Sequence, residues 1–121
     1  MNVYGLRGAI TVDSNEREAI LSATRELLSA LIERNGLEAD DLVSCILSMT
    51  DDLNAEFPAV AAREMGLDAL PLLCVREIGV PGSMQHVIRA LLHYRAADGH
   101  QAQHVYLRDA QGLRGDLTGP Q

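Results

Sequence analysis

The stretch CVREIGVPGSMQHVIRALLHYR, residues 74–95, decides the fold, because the chain changes within it from one kind of element to another. Its first residues end an apolar, β-rich run and predict a strand over about 69–78. Pro81 suits the first turn of a helix, and the apolar residues after it recur at helical spacing. We therefore predict that Pro81 begins a long helix, the second of the chain. Its expected buried stripe consists of Met84, Val87, Ile88, Leu91 and Leu92.

Toward the N-terminus, the sequence predicts a strand and a first long helix. Residues 2–12 are β-rich and contain two glycines, which predicts the first strand. Asp13 and Glu16 form a helix-start signal, with Ser14 as the competing cap, and Gly36 can end the helix. We therefore expect this helix over about 14–35. Its apolar stripe consists of Ile20, Ala23, Leu27 and Leu31.

The rest of the chain predicts two further strands and a short helix. Residues 41–50 and about 102–109 have the composition of strands, and the short helix starts at Pro58 and is closed by Gly66. Residues 112–121 form a turn-rich tail, which we expect to be loose from about 115 to 121.

This order of elements predicts a single domain of the α+β class that spans residues 1–121. Its expected architecture is a mixed sheet of four or five strands, covered on one face by two amphipathic helices. The other face of such a sheet has no cover within the chain. That exposed face argues for a homo-oligomer.

The composition excludes several classes of function. A net charge of -7 argues against a surface that tracks nucleic-acid phosphates. The chain contains no lysine, so Schiff-base chemistry and a P-loop lysine are excluded, and all ten cations are arginines. The two cysteines, Cys45 and Cys74, lie far apart, which argues against a disulfide framework or a cysteine zinc site. The N-terminus lacks a signal-peptide pattern and no apolar run is long enough to span a membrane, so we expect a reduced, cytoplasmic protein.

Two charged residues on predicted strands each allow two interpretations. Arg7 lies between Gly5 and Gly8, so it either points into solvent from an edge strand or presents its guanidinium beside bare backbone that a ligand can approach. Glu77 has the same strand parity as Val75, so it lies either at a solvated strand end or buried with a partner. Cys74 has the opposite parity, where a small buried hydrophobic residue is the simpler interpretation.

For the remaining candidates, local sequence alone does not indicate a functional role. Arg89 lies off the apolar stripe of the predicted helix and becomes functional only if a neighbouring subunit covers that flank. Arg63 and Arg114 have the same solvated interpretation, and Tyr106 fits a core residue with its hydroxyl at the surface. The four histidines form no metal-binding pattern, and no motif supplies a nucleophile, a metal site or a cofactor site.

Six segments nevertheless match one known family in order: GLRGAITV, DLNAEFPAVAARE, CVREI, VIRAL, HVYL and LRGDL. Together they span nearly the whole chain, from the first strand to the tail. The chain resembles the AroH-class chorismate mutases. The resemblance implies a homotrimer in which three sheets form a pseudo-α/β-barrel, with active sites at the subunit interfaces. It also implies the rearrangement of chorismate to prephenate, toward phenylalanine and tyrosine, without a cofactor or metal.

The resemblance assigns four catalytic residues. It implies that Arg89 donates to the ether oxygen of chorismate, that Arg7 binds a carboxylate, and that Arg7 and Arg89 come from facing subunits. Glu77 would accept from the ring hydroxyl, and Tyr106 would donate to the side-chain carboxylate. The substrate-binding set would also include Phe57, Arg63, Leu73, Cys74, Leu113 and Arg114. The alternative is a trimeric protein of related fold that binds small carboxylates without turnover.

Overall fold

The computed structural model describes the backbone of residues 1–118 and the side chains of residues 1–113. Within that range no helix is long and apolar enough to cross a membrane. The tail that we expect to be loose, about 115–121, lies outside the residues whose side chains are described, so this expectation stays a prediction.

The described residues form one sheet of five strands in the order β3-β2-β4-β1-β5. Strands β1 and β2 each pair antiparallel with the central β4, whereas β3 and β5 lie parallel to β2 and β1 at the two edges. The predicted mixed sheet and α+β class are therefore confirmed. The strands are β1 (Asn2–Thr11), β2 (Leu42–Met49), β3 (Leu72–Arg76), β4 (Val87–Ala96) and β5 (Val105–Leu107).

Two α-helices lie against this sheet, α1 (Arg17–Arg34) and α2 (Ala59–Glu64). Two short 3-10 segments, Ala39–Asp41 and Arg108–Thr118, complete the regular structure. The predicted stop at Gly36 is confirmed: this glycine has a φ of 62°, and its N–H bonds the carbonyl of Glu33 at 3.2 Å. That left-handed residue ends α1 at little steric cost because glycine has no Cβ.

The predicted start of α1 is wrong by three residues. The helix begins at Arg17 rather than near 14, and neither Asp13 nor Ser14 caps it. The side chain of Asn15 instead binds the loop before α2, where its Oδ1 accepts from the main-chain N–H groups of Asn54 and Ala55 at 2.9 and 3.0 Å. The segment is therefore used to fix that loop rather than to start the helix.

The second long helix is wrong, because residues 87–96 form the central strand β4. Residues 88, 90, 92, 94 and 96 face the core, which is a period of two. Val87 and Leu91 lie on the other face. Because they are also apolar, they combine with Ile88 and Leu92 into a spacing that resembles the buried stripe of a helix. Pro81 and Gly82, with a φ of 83° at the glycine, belong to the turn before the strand.

The hydrophobic core lies between the helices and one face of the sheet. Leu6 and Ile10 of β1 and Leu92 of β4 pack with Leu27 and Leu31 of α1, and all are fully buried. The other sheet face, called the open face below, carries the odd-numbered residues of β1, β3 and β4 and, after the register shift between Leu42 and Ser44, the even-numbered residues of β2. On it, the side chains of residues 73 and 75 are 58% and 42% exposed, which agrees with the predicted uncovered face.

Candidate active site

One row of side chains crosses the open face. Ser48 of β2 lies opposite Val75 of β3 and Arg89 of β4, and Ala9 of β1 lies opposite Arg89 and Tyr106. Since β4 is the central strand, Arg89 occupies the middle of this row. The sheet register thus places a cation with polar neighbours at the centre of the uncovered face.

A cavity of about 300 Å³ lies above this row. Arg7, Glu77, Arg89 and Tyr106 all line it, together with Ser48. The volume is at the lower end of the range for small-molecule sites, and the lining combines apolar walls with a few polar groups. The four residues that the resemblance names as catalytic are therefore brought together in a single chain.

Glu77 and Arg89 form the charged centre of the cavity. The main-chain N–H of Glu77 bonds the carbonyl of Met49 at 3.0 Å, which extends the β2–β3 pairing and keeps the Glu77 side chain on the open face. Its Oε1 lies 3.3 Å from Nε of Arg89, with 23% and 30% of the two side chains exposed. Its Oε2 accepts a short hydrogen bond from the Ser48 hydroxyl.

The Nε–H of Arg89 is buried and makes no hydrogen bond within the described part of the chain. The distance from Nε of Arg89 to Oε1 of Glu77 is that of an ion pair. The N–H does not point toward Oε1 as a hydrogen bond requires, so the two groups form no hydrogen bond. The attraction between the charges therefore remains, while the Nε–H has no acceptor among the described residues. A buried, undonated N–H is costly, so it favours an acceptor oxygen placed in the cavity.

Arg7 and Tyr106 occupy the β1–β5 side of the cavity. The main-chain N–H of Arg7 donates to Nδ1 of His104 at 3.0 Å, just before the short β5 pairing begins. Tyr106 is buried against Ala9 and Val87. Burial lowers the pKa of His104, and the positive charge of Arg7 lowers it further. A neutral His104 can accept this hydrogen bond, so it holds the backbone that presents Arg7.

The structure corrects the implied origin of the two arginines. Arg7 and Arg89 do not need to come from facing subunits, because they lie on the adjacent strands β1 and β4 of one chain and line one cavity. The physical reason is the change of residues 87–96 from helix to strand. Because β4 pairs with β1, Arg89 lies directly opposite Ala9, which is two residues from Arg7 on the same strand.

Three predicted substrate-binding residues lie away from this cavity. Cys74 packs toward the core face, and together with Phe57 it borders a second cavity of about 200 Å³ near α2. Phe57 is 67% exposed, and Arg63 is an exposed residue of α2. The simpler interpretation of Cys74, a small residue packed on the core side, agrees with this position.

Two further predicted substrate-binding residues, Leu73 and Leu113, are not among the residues that line the cavity. Leu73 is on the open face but outside the cavity lining. Leu113 packs beside the buried group that contains Tyr106. The side chain of Arg114 lies outside the described residues.

Sequence reasoning missed Ser48 and His104. Ser48 has the same strand parity as Ile46 and the opposite parity to the core residues Cys45 and Leu47. This alternation could have placed Ser48 on the open face. His104 carried no comparable signal, because its contact is with the backbone of a residue 97 positions away.

Comparison with known proteins identifies the family. The profile described as "Chorismate mutase type I" matches residues 3–117. The chain belongs to this family. It is 46% identical to the chorismate mutase AroH of Thermus thermophilus over 121 residues, covering 98% of this chain and 99% of that protein. It is 39% identical to the chorismate mutase AroH of Bacillus subtilis (strain 168) over 120 residues, covering 98% and 94%.

A solved structure supports the same assignment. The chain is similar to a chorismate mutase from Clostridium thermocellum, with a TM-score of 0.88 and 44% identity over 91% of this chain and 99% of that one. This member of the family is therefore a chorismate mutase, an isomerase whose substrate is chorismate. The alternative of a carboxylate-binding protein without turnover is not supported.

Proposed function

We propose that the cavity between Arg7, Glu77, Arg89 and Tyr106 converts chorismate to prephenate by restraining the substrate and stabilising the charge that develops. The reaction is a 3,3-sigmatropic shift within one molecule, so no proton transfer or covalent intermediate is required. The protein has to hold chorismate in its compact, chair-like diaxial form and place donors where negative charge grows. The convergence of these four side chains in one cavity carries the proposal.

Arg89 has the central role in this proposal. As the ether C–O bond breaks, its oxygen becomes more negative, and the undonated Nε–H of Arg89 is the donor suited to meet it. A preorganised donor in a site of this kind contributes roughly 3–4 kcal/mol, or about 10²–10³ in rate. The guanidinium also presents further N–H groups that can hold a substrate carboxylate.

The other three residues would orient the substrate. Arg7 binds one carboxylate of the dianion, because a guanidinium fits a carboxylate with two parallel hydrogen bonds. Tyr106 donates its hydroxyl to the side-chain carboxylate. Glu77 accepts from the ring hydroxyl, since its oxygens have more lone pairs than Ser48 and Arg89 occupy. These contacts together select the reactive conformer.

A homotrimer would complete the site. Several large apolar side chains are exposed in the single chain, among them Ile78 at 85% and Val80 at 57%, which favours burial against another copy. Phe57, Arg63 and Cys74 lie away from their own cavity, so a neighbouring copy would bring them to it. In the completed site Phe57 and Leu73 would form walls, Cys74 would lie beside the ring hydroxyl, Leu113 would contact the substrate, and Arg63 and Arg114 would cover the mouth.

We also place the protein in the cytoplasm. Its two cysteines are free thiols, which agrees with a reducing compartment.

Turnover of chorismate by the purified chain tests the reaction. Loss of chorismate absorbance without added metal or cofactor, with prephenate identified as the product, is the expected result. A folded protein that binds chorismate and leaves it unchanged would contradict the proposal.

Mixing two inactive variants tests the shared site. One variant is Arg89→Ala, and the other is the double variant Phe57→Ala/Arg63→Ala. If a neighbouring copy supplies Phe57 and Arg63, mixed trimers contain some sites that have all three side chains. Activity of the mixture should then exceed the sum of the separate variants after subunit exchange. An activity equal to that sum would show that each chain supplies its whole site.

A further inference from the structure

We propose that Ser48 is a positioning residue: its hydroxyl holds Glu77 back from Arg89, so that the Nε–H of Arg89 is kept for the substrate. This inference rests on the proposed role of Arg89 in the chorismate rearrangement.

The geometry gives each oxygen of Glu77 a separate partner. Oε2 accepts the short hydrogen bond from Ser48, and Oε1 faces Nε of Arg89 at 3.3 Å. Ser48 is itself only 8% exposed and lies directly opposite Arg89 in the β2–β4 register. The hydroxyl is thus fixed by the sheet, beside the ion pair and on the same face.

A carboxylate beside an arginine could form a closer, doubly hydrogen-bonded pair than the one seen here. A free carboxylate and a guanidinium form two parallel N–H···O hydrogen bonds, which is the favoured geometry of such pairs. In this structure Glu77 does not reach it, and Nε of Arg89 has no hydrogen bond to any residue whose side chain is described. The hydrogen bond from Ser48 to Oε2 fixes the rotation of the carboxylate, and a bidentate pair would require that rotation to change. Ser48 therefore keeps Glu77 close enough for charge attraction but too constrained to take the donor.

The consequence for catalysis is preorganisation. If Glu77 closed on Arg89, that contact would have to break before the ether oxygen could be stabilised, and the transition state would lose part of its advantage over the ground state. With Ser48 in place, the donor is in position before the substrate arrives. Ser48 need not touch chorismate itself, so its effect should pass entirely through Glu77.

The chain offers a matched control at Ser44. This serine is on the same strand and the same face, and its hydroxyl lies 3.3 Å from Nδ1 of His93. It does not line the cavity. Removing its hydroxyl changes β2 in a comparable way without affecting the Glu77–Arg89 pair.

A double-mutant cycle tests the inference. We expect Ser48→Ala to lower kcat by about tenfold, in line with the loss of a hydrogen bond to a charged group. In a Glu77→Ala background the same change should alter kcat by less than about twofold, because the residue through which Ser48 acts is gone. Ser48→Thr, which keeps the hydroxyl, should restore most of the activity, and Ser44→Ala should leave kcat unchanged.

Several results would overturn the inference, and they are distinguishable from failure of the proposed function. Equal losses from Ser48→Ala in both backgrounds, or full activity of Ser48→Ala in a folded protein, would show that the serine does not act through Glu77. Failure of the threonine variant to recover activity would point to a packing role. Absence of chorismate turnover by the unmodified protein would instead remove the proposed function, and this inference with it.

Discussion

Nε of Arg89 and Oε1 of Glu77 lie 3.3 Å apart at the centre of the open sheet face, yet no hydrogen bond joins them. The pair is held by charge, while the Nε–H of Arg89 has no acceptor within the part of the chain whose side chains are described. An acid and a cation in contact would usually be interpreted as a stabilising ion pair. Here the geometry is better suited to a ligand oxygen that arrives between fixed charges.

Arg89→Ala should lower kcat by at least about two orders of magnitude, because it removes a donor that acts mainly in the transition state. Arg95→Ala is the matched control, since Arg95 is on the same strand and the same face but is exposed and far from the cavity. Steady-state kinetics on both variants, with folding checked by circular dichroism, gives the comparison. Near-normal turnover in the Arg89 variant would contradict the assigned role.

Gly8→Ala should destabilise the protein by about 1–3 kcal/mol, the usual cost of overpacking. A Cβ at Gly8 would lie 3.0 Å from Cδ1 of both Leu27 and Leu31, so these side chains of α1 would have to move by a few tenths of an ångström in a packed core. Gly5→Ala is the control, because the nearest atoms to its Cβ are at 4.0 Å in ordinary contact. Urea unfolding measures the two variants. Equal stability of both would show that the side chains of Leu27 and Leu31 have room to move.

The glycines beside Arg7 show what sequence alone could and could not supply. One interpretation was that they expose backbone to a ligand near Arg7. Gly8 does line the cavity with its main chain, but the side chain it lacks would point toward α1. The sequence shows only that a glycine lies at this position, whereas the packed structure shows that the side chains of α1 leave little room for a larger residue.

The fold was predictable where the length or the period of an apolar run indicates one kind of element. The strands at 42–49 and 72–76 are short apolar runs, the helix at 17–34 has an apolar stripe at helical spacing, and local signals such as Gly36 set an end. The helix prediction for residues 87–96 is wrong because both faces of this central strand are partly apolar. The spacing of its apolar residues therefore fits a strand period of two and a helix period of 3.6 equally well. Pro81 then favoured the wrong choice.

The site was predictable only through the resemblance. The sequence pattern around Arg89 predicts a solvated residue on a helix, and the pattern around Glu77 allows two interpretations. Their meeting depends on pairing between β2, β3 and β4, which no local signal reveals. The contacts of Ser48 and His104 depend on the same long-range register.

The buried thiol of Cys45 should be unreactive in the native protein. Burial, with a smaller contribution from Cys74, raises the pKa of Cys45 to about 12, so almost no thiolate is present at pH 8. In a Cys74→Ala variant, reaction with a thiol reagent should be slow and should accelerate sharply in urea. Cys45→Ala, which leaves the half-buried Cys74, should react faster without urea. Rapid labelling of Cys45 under native conditions would disprove the prediction.

His104 should make the stability fall in mild acid. Its pKa is below the ordinary value of about 6.5, first because of burial and then because of Arg7, so between the folded and unfolded pKa values only the unfolded chain binds the proton. The stability that neutral His104 contributes is therefore complete above about pH 6.5 and is lost as the pH falls through the folded pKa. Asparagine keeps an acceptor for the N–H of Arg7 but does not titrate. Urea unfolding at pH 8 and pH 5 should show a larger loss of unfolding free energy for the unmodified protein than for His104→Asn; equal losses would mean that other groups control the acid response.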